Sequence, residues 1–260
     1  MTRTFKRIAV AAALLAALSV SDVSKSRAAS KATPPPPQEW SFSGVFGTFD
    51  RAQLQRGYLV YREVCAACHS MKQVYFRHLT DIGLSENAIK AIAAESDVAG
   101  EPDEDGEPTE RPAQLFDRLP SPYANDNEAR SANNGALPPD LSLIAKSRVG
   151  GADYIHALMT GYLEKAPAGV TMGEGMNYNT YFAANQIAMA PPLVEDGVEY
   201  EDGTKASVDQ QARDVAAFMT WAAEPEMEER KRMGIKVLLF LIILTAMLYA
   251  VKRRVWSDLH

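Results

Sequence analysis

Cysteine is scarce: the 260 residues contain two, Cys65 and Cys68, three positions apart. One bridge between near neighbours is therefore the most that disulfide chemistry could supply, and no framework of crosslinks can stand in for a core. No internal repeat and no β-rich segment stands out, so repeat arrays and all-β architectures are disfavoured. Positive charge is not in surplus: 27 basic residues face 33 acidic ones, for a formal charge of −6, which argues against a nucleic-acid partner. Long apolar runs occur only near the two ends. The C-terminal one carries no carboxylate, and nothing in it reads as a proton relay or a quinone pocket.

What is present starts with those ends. Arg3, Lys6 and Arg7 precede the 13-residue apolar run Ile8–Val20, and Ser26–Ala28 fits a cleavage site. The run is too short to span a bilayer, so residues 1–28 read as a secretory signal peptide, with a retained N-terminal anchor as the alternative. Its removal takes away five basic residues and one acid and leaves the remainder at −10, an acidic surface suited to a basic partner. At the other end, residues 233–251 contain one charge, Lys236. As a helix they extend roughly 28 Å, about the hydrocarbon thickness, and read as a transmembrane anchor rather than a buried core helix. Export of the body leaves residues 252–260, with Lys252, Arg253 and Arg254, as a cytoplasmic tail. The expected location is a bacterial inner membrane, crossed once, with the domain on the periplasmic side.

Between the ends, residues 29–39 form a proline-rich linker and residues 40–228 a single domain. Asp50 is placed to cap a helix to about Val64, with Leu54, Tyr58, Tyr61 and Val64 or Cys65 at helical spacing. Ser85 caps a second helix, and 95–112 reads as an acidic surface loop. Short helices are expected over 140–148 and 152–162, split by Gly150–Gly151, with loop over 164–204. Ser207 and Gln210 form a capping-box pattern ahead of Val208, Ala212, Val215, Met219 and Ala222 on one face. The fold class is mainly α, with long loops.

The stretch Cys65–His69, "CAACH", carries the chemistry. A disulfide, a redox dithiol, a zinc site and a covalent haem are the four uses of such a pair. The βαβ surroundings of a redox dithiol are missing, and zinc gives no reason for a histidine directly after the second cysteine. Cys-x-x-Cys-His at a helix end in an exported chain fits covalent c-type haem, both sulfurs forming thioethers and His69 ligating the iron. For a sixth ligand, His260 lies beyond the anchor, Met71 is too near His69 to reach the opposite face, and His78 and His156 read as ordinary surface or core histidines. Met189 sits in "IAMAPPL", stiffened by Pro191 and Pro192, while Met172 and Met176 in "TMGEGM" are chemically equivalent candidates.

The segments "RGYLVYREVCAACHSM", "NNGALPPDLS", "GGADYIHALMTGY", "GMNYNTYF", "IAMAPPL" and "DVAAFMTWAAEPEMEERKRMG", followed by the apolar span, resemble in order the cytochrome c1 family. The similarity runs from about Trp40 to Trp256. It implies a class I cytochrome c-like haem domain on a C-terminal anchor, with one covalent haem c and Met189 as the distal ligand. It implies haem-pocket roles for Asn133, Ala136, Pro138 and Pro139, a propionate pairing for Arg148, and pocket aromatics in Tyr154 and Phe182. It implies an electron-transfer subunit that is no enzyme alone. The partners it implies are cytochrome b, the Rieske iron–sulfur protein, a soluble or anchored c-type cytochrome and membrane lipid, in a dimeric complex of the ubiquinol–cytochrome c reductase type. Some members of the family carry an additional disulfide in the domain; this chain has no cysteine for it, so packing and prolines alone are expected to hold the distal loop. A free-standing anchored shuttle and a haem sensor or peroxidase are the other classes. The first calls for a long tether before the anchor, the second for an open coordination site.

Overall fold

The computed structural model describes residues 33–257. The signal peptide read over 1–28, the first part of the linker and His260 lie outside the described residues.

The first helix, α1, spans Arg51–Val60, and Asp50 caps it as expected, its carboxylate accepting from the amides of Ala52 and Gln53. The helix does not run on in α form to Val64. It continues as a π-helical turn over Tyr61–Cys65, closed by the Ala66 amide reaching back five residues to the Tyr61 carbonyl at 2.8 Å. A 3₁₀ segment, Phe76–Ile82, ends at Gly83 in the left-handed region (φ +93°), and Ser85 caps α2, Glu86–Ala94. The acidic stretch read as loop is a hairpin. Strand β1, Asp97–Ala99, pairs antiparallel with β2, Glu110–Pro112, which leaves residues 101–107 as an exposed tip. Asn125 then caps α3, Asp126–Ala132.

Helix α4 is only Ile144–Ser147, shorter than the 140–148 expected: the Leu141 amide is spent on the Ser70 carbonyl, and the side chains of Asp140 and Ser142 take the amides of Lys72 and Gln73. Helix α5, Gly151–Thr160, stops short of Tyr162 because Asn179 takes the Leu158 carbonyl and the Thr180 amide takes that of Gly161. Two short strands, β3 (Asn177–Tyr178) and β4 (Gln186–Ile187), pair inside the region read as loop. Helix α6, Val208–Ala223, starts at Ser207, whose hydroxyl accepts from the Gln210 amide. The capping box is only half made, since Gln210 turns its amide to Asp214 rather than back to Ser207.

The core lies where α1 crosses α6. Leu54, Tyr58, Tyr61 and Cys65 from one side meet Val215, Phe218, Met219 and Trp221 from the other, all buried. Phe218 sits 5.6 Å from Tyr58, 5.8 Å from Tyr61 and 5.5 Å from Trp221 between ring centroids. Gly57 makes this approach possible: a Cβ there would stand 2.1 Å from the Asp214 carbonyl oxygen. Arg56, beside it, pairs with the fully buried Asp214 at 2.9 Å and with Asp202 at 2.6 Å. The last helix, α7, runs Met227–Val255. Its apolar stretch has a mean hydropathy of 2.4 and none of it is buried by the protein, so it is long and apolar enough to cross a membrane.

A candidate haem-binding site

The π turn delivers Cys65 and Cys68 at the end of α1. Both thiols are free; Cys65 is buried and Cys68 exposed. The Cys65 carbonyl accepts from the amides of Cys68 and His69, at 3.1 and 2.9 Å, and so closes the motif into a tight turn. Burial, and then the neighbouring Cys68, push the Cys65 thiol up to about 12. A thiol held so firmly protonated is unlike the activated sulfur of a redox dithiol. Among the described residues no group of three or more His, Cys, Asp or Glu is disposed to hold a metal ion, which is what a zinc site would require.

His69 is half-buried and its Nδ1 lies 2.8 Å from the carbonyl of Pro139. A carbonyl can only accept, so Nδ1 carries the proton and Nε2 keeps its lone pair. Burial lowers the His69 pKa, with the Pro139 bond and Asp140 opposing, so the ring is neutral at pH 7. The carbonyl is itself held by a network centred on Asp140. That carboxylate accepts from the Ser70 hydroxyl (2.8 Å), the Lys72 amide (2.8 Å) and the Ser142 amide (2.9 Å), while Leu141 donates to the Ser70 carbonyl and Gln73 to the Ser142 hydroxyl. Burial alone would raise the Asp140 pKa; these donors hold it below the usual carboxylate range. Asn133, half-buried at the end of α3, donates to the Tyr123 hydroxyl and the Ala129 carbonyl. Its own carbonyl accepts from Ala136 and shapes the loop that reaches Pro138 and Pro139.

Met189 is half-buried on the loop after β4. Its carbonyl accepts from the Tyr162 hydroxyl at 3.1 Å and the Asn177 side chain at 3.4 Å, so this loop is held by hydrogen bonds as well as by packing and prolines. Asn179, fully buried, ties the segment to α5. Met172 and Met176 flank Gly173, whose amide is held by Gln186, so all three thioethers belong to neighbouring loops. Met71 is fully buried in the core, and His156 is buried against Trp40 with Nε2 on Asp209. His78 folds back onto the amide of its own Tyr75.

Arg148 is exposed, bonded to Ser147, and lies next to Tyr154 on α5. Burial raises the Tyr154 pKa and the guanidinium opposes it. Phe182 is half-buried ahead of a turn with Ala184 and Asn185 at positive φ. Leu137, Val149, Leu163 and Val170, on the segments around these residues, are exposed apolar side chains, a surface suited to a flat apolar ligand. One cavity lies against Trp40 and Gly150; another, lined by Tyr58, Tyr61, Ala66 and Leu119, borders the cysteine turn itself. Asp140, Tyr162, Asn177 and the π turn escaped the sequence reading. Only the run of Tyr, Asn and Pro around the methionines could have hinted at the second and third.

Two unpaired thiols and an imidazole offering Nε2, in a helical domain that ends in one helix long and apolar enough to cross a membrane, fit the class of c-type cytochrome domains. The residues present fit a haem, by donor chemistry and by the apolar surface around it. The particular family follows from comparison: the chain belongs to the Cytochrome C1 family, whose profile matches residues 40–259. It is 48% identical over 236 residues to a protein named cytochrome c1 from Rhodospirillum rubrum, covering 85% of this chain and 87% of that one. It is 50% identical over 224 residues to the mitochondrial cytochrome c1 heme protein of Saccharomyces cerevisiae, covering 86% and 72%. It is 49% identical over 225 residues to a mitochondrial cytochrome b-c1 complex catalytic subunit of Candida albicans, covering 86% and 78%.

Proposed function

We propose that this chain is the haem-carrying electron-transfer subunit of a quinol–cytochrome c reductase, taking electrons from a Rieske iron–sulfur protein and passing them to a c-type cytochrome. The observation that carries the reading is His69 just beyond the π turn, with Nδ1 fixed on Pro139 and two free thiols, Cys65 and Cys68, in the turn ahead of it. Cys65 and Cys68 would hold one haem through thioethers, and His69 and Met189 would ligate its iron. When bound, the haem supplies one-electron iron chemistry.

This chain's own residues set the terms. His69, kept neutral and aimed by Pro139, is a stronger donor than a freely rotating imidazole. Met189, on a carbonyl anchored by Tyr162 and Asn177, offers a soft ligand that favours reduced iron and closes the site to oxygen chemistry. Arg148 has free donors for an anionic propionate, Tyr154 and Phe182 pack the pocket wall, and Asn133, Ala136 and Pro138 shape the loop beneath it. The acidic tip Glu101–Glu107 is exposed and able to steer a basic partner. Glu195, Asp196, Glu199, Glu201 and Asp202 form a second acidic group, but it is partly committed already: Asp202 pairs with Arg56, and Glu195 accepts from the Val208 amide.

A fixed subunit is favoured over a tethered shuttle by the joint between domain and anchor. Only residues 224–226 separate α6 from α7, and Glu228 is bonded to Phe49 and Arg51. Export through residues 1–28, a periplasmic domain and a dimeric complex with cytochrome b belong to the same reading. It is tested by purifying the complex and its variants. Cytochrome b should co-purify, and the oxidised protein should show a methionine-to-iron charge-transfer band that Met189→Leu abolishes and Met172→Leu or Met176→Leu retains. A band that survives Met189→Leu would overturn the ligand assignment; a chain that purifies without cytochrome b would favour the shuttle.

A further inference from the structure

Residues 43–47, Ser-Gly-Val-Phe-Gly, form a loop on a rigid base. Phe42 and Phe49 are buried and lie 5.1 Å apart, Trp40 stacks on Phe42 at 5.4 Å, and the amides of Ser43 and Thr48 close onto the carbonyls of Trp40 and Ser41. The neck is narrow: a Cβ on Gly47 would stand 2.0 Å from the Ser43 carbonyl. Beyond that neck, Val45 is 62% and Phe46 84% exposed. An uncharged tip carrying an exposed phenylalanine on so ordered a base calls for a partner.

The hydrogen bonds to α7 give the loop a direction. Arg51 and the Phe49 amide meet Glu228, at 3.0 and 2.7 Å. The carbonyls of Gly47 and Phe42 meet the Lys231 amine, at 3.1 and 2.7 Å, almost one turn further along the helix. Going back from residue 51 to 47, the chain therefore descends along the anchor. The apolar stretch starts at Met233, about 3 Å of helix beyond Lys231, and Val45 and Phe46 form the tip of the loop whose two ends, Phe42 and Gly47, both meet Lys231.

We propose that Val45 and Phe46 are a second membrane contact, a finger seated in the headgroup–acyl boundary of the bilayer beside the anchor. The inference rests on the reading of α7 as the membrane span. Continuity with the uncovered apolar surface of α7 points to lipid as the occupant, as does the absence of charge in the tip, and aromatic side chains favour this depth of a bilayer. The finger and α7 would together fix the tilt of the domain over the membrane.

Cysteine scanning of the full chain in phospholipid bilayers tests this, each site read by peptide mass spectrometry after a timed pulse of a charged, water-soluble maleimide. Phe46→Cys and Val45→Cys are compared with Glu104→Cys on the exposed hairpin tip and Leu241→Cys inside the span. The expected result is labelling at 45 and 46 slower than at 104 by about tenfold or more, in line with burial of a large apolar side chain, and recovery of full reactivity in denaturant. Labelling at 46 as fast as at 104, with position 241 protected, would overturn the finger alone; reactivity at 241 would overturn the span. Protection that appears in the assembled complex but not in the chain alone in lipid would assign the finger to a neighbouring subunit and overturn the lipid contact.

Discussion

Gly57→Ala adds a single methyl at the point where α1 crosses α6. The new carbon would stand 2.1 Å from the Asp214 carbonyl oxygen and 2.7 Å from both the Asp214 carbonyl carbon and the Phe218 Cβ. None of these atoms is the end of a flexible side chain, so the helices must part by roughly 1 Å to restore ordinary contact, and a gap of that size forfeits a quarter to a half of the dispersion attraction across it. Tyr58, Tyr61, Phe218 and Trp221 all pack through this crossing. Alanine gains about 1 kcal/mol in helix propensity over glycine, while overpacking a core typically costs about 1–3 kcal/mol and sometimes more. With backbone as the obstacle we expect the upper end, a net loss of about 2–3 kcal/mol, or roughly 4–12 °C in Tm for a domain of this size. The assay is thermal unfolding of the full chain in detergent, followed by far-UV circular dichroism. Gly234→Ala, inside α7, is the control, since nothing lies within 4 Å of a Cβ there, and the same propensity gain should leave its melt unchanged or raise it by up to about 4 °C. A Gly57→Ala protein that melts at or above wild type would refute the close-crossing argument.

Asp140→Ala leaves the amides of Lys72 and Ser142 and the Ser70 hydroxyl without their acceptor, and at roughly 1 kcal/mol or more for each stranded donor should destabilise the domain by about 2–4 kcal/mol; a melt unchanged within error would show that the loop from 139 to 142 is held by something else. Arg56→Met leaves the Asp214 carboxylate buried without its cation and should cost about 3–5 kcal/mol at pH 8. Burial already raises the Asp214 pKa against the opposing pull of Arg56 and Gln210. A carboxyl whose folded pKa lies above its unfolded value favours the folded state as it takes up a proton, so the variant's deficit should shrink as pH falls from 8 to 5. Tm measured across that range, with Arg56→Met/Asp214→Asn as the rescue, checks the sign; a deficit independent of pH would contradict it. Replacing Glu101, Asp103, Glu104, Asp105 and Glu107 by their amides should slow electron transfer to a basic cytochrome at low salt and flatten its ionic-strength dependence; an unchanged rate and salt slope would remove the hairpin from docking.

The parts legible in the sequence were those carried by local chemistry. The caps at Asp50, Ser85 and Ser207, the apolar face of α6 and the uniformly apolar anchor announce themselves within a few residues. The Cys65–His69 motif does the same for the candidate site. What stayed hidden is held by bonds between distant residues. Asp140 reaches back some 70 positions to Ser70 and Lys72, and in doing so shortens α4. Tyr162 and Asn177 hold the Met189 carbonyl from 27 and 12 residues away. The acidic hairpin hid because its Gly and Pro content reads as loop, whereas Arg111 clasps Asp117 in two hydrogen bonds and steadies its base. Helix α3 and the 3₁₀ segment are short and weakly patterned, so capping at Asn125 and the stop at Gly83 were the only marks they left.

The π turn at Tyr61–Cys65 bears on how this protein can change. It holds one residue more than an ordinary turn, so deleting a single residue there would let the turn itself relax into unbroken α-helix. The same deletion would change the turn from which Cys65, Cys68 and His69 leave the helix, and both sulfurs and the imidazole would no longer point where they now do. The count of residues from Asp50 to His69 is thus locked, and drift in this stretch must proceed by substitution or by compensated pairs of gains and losses.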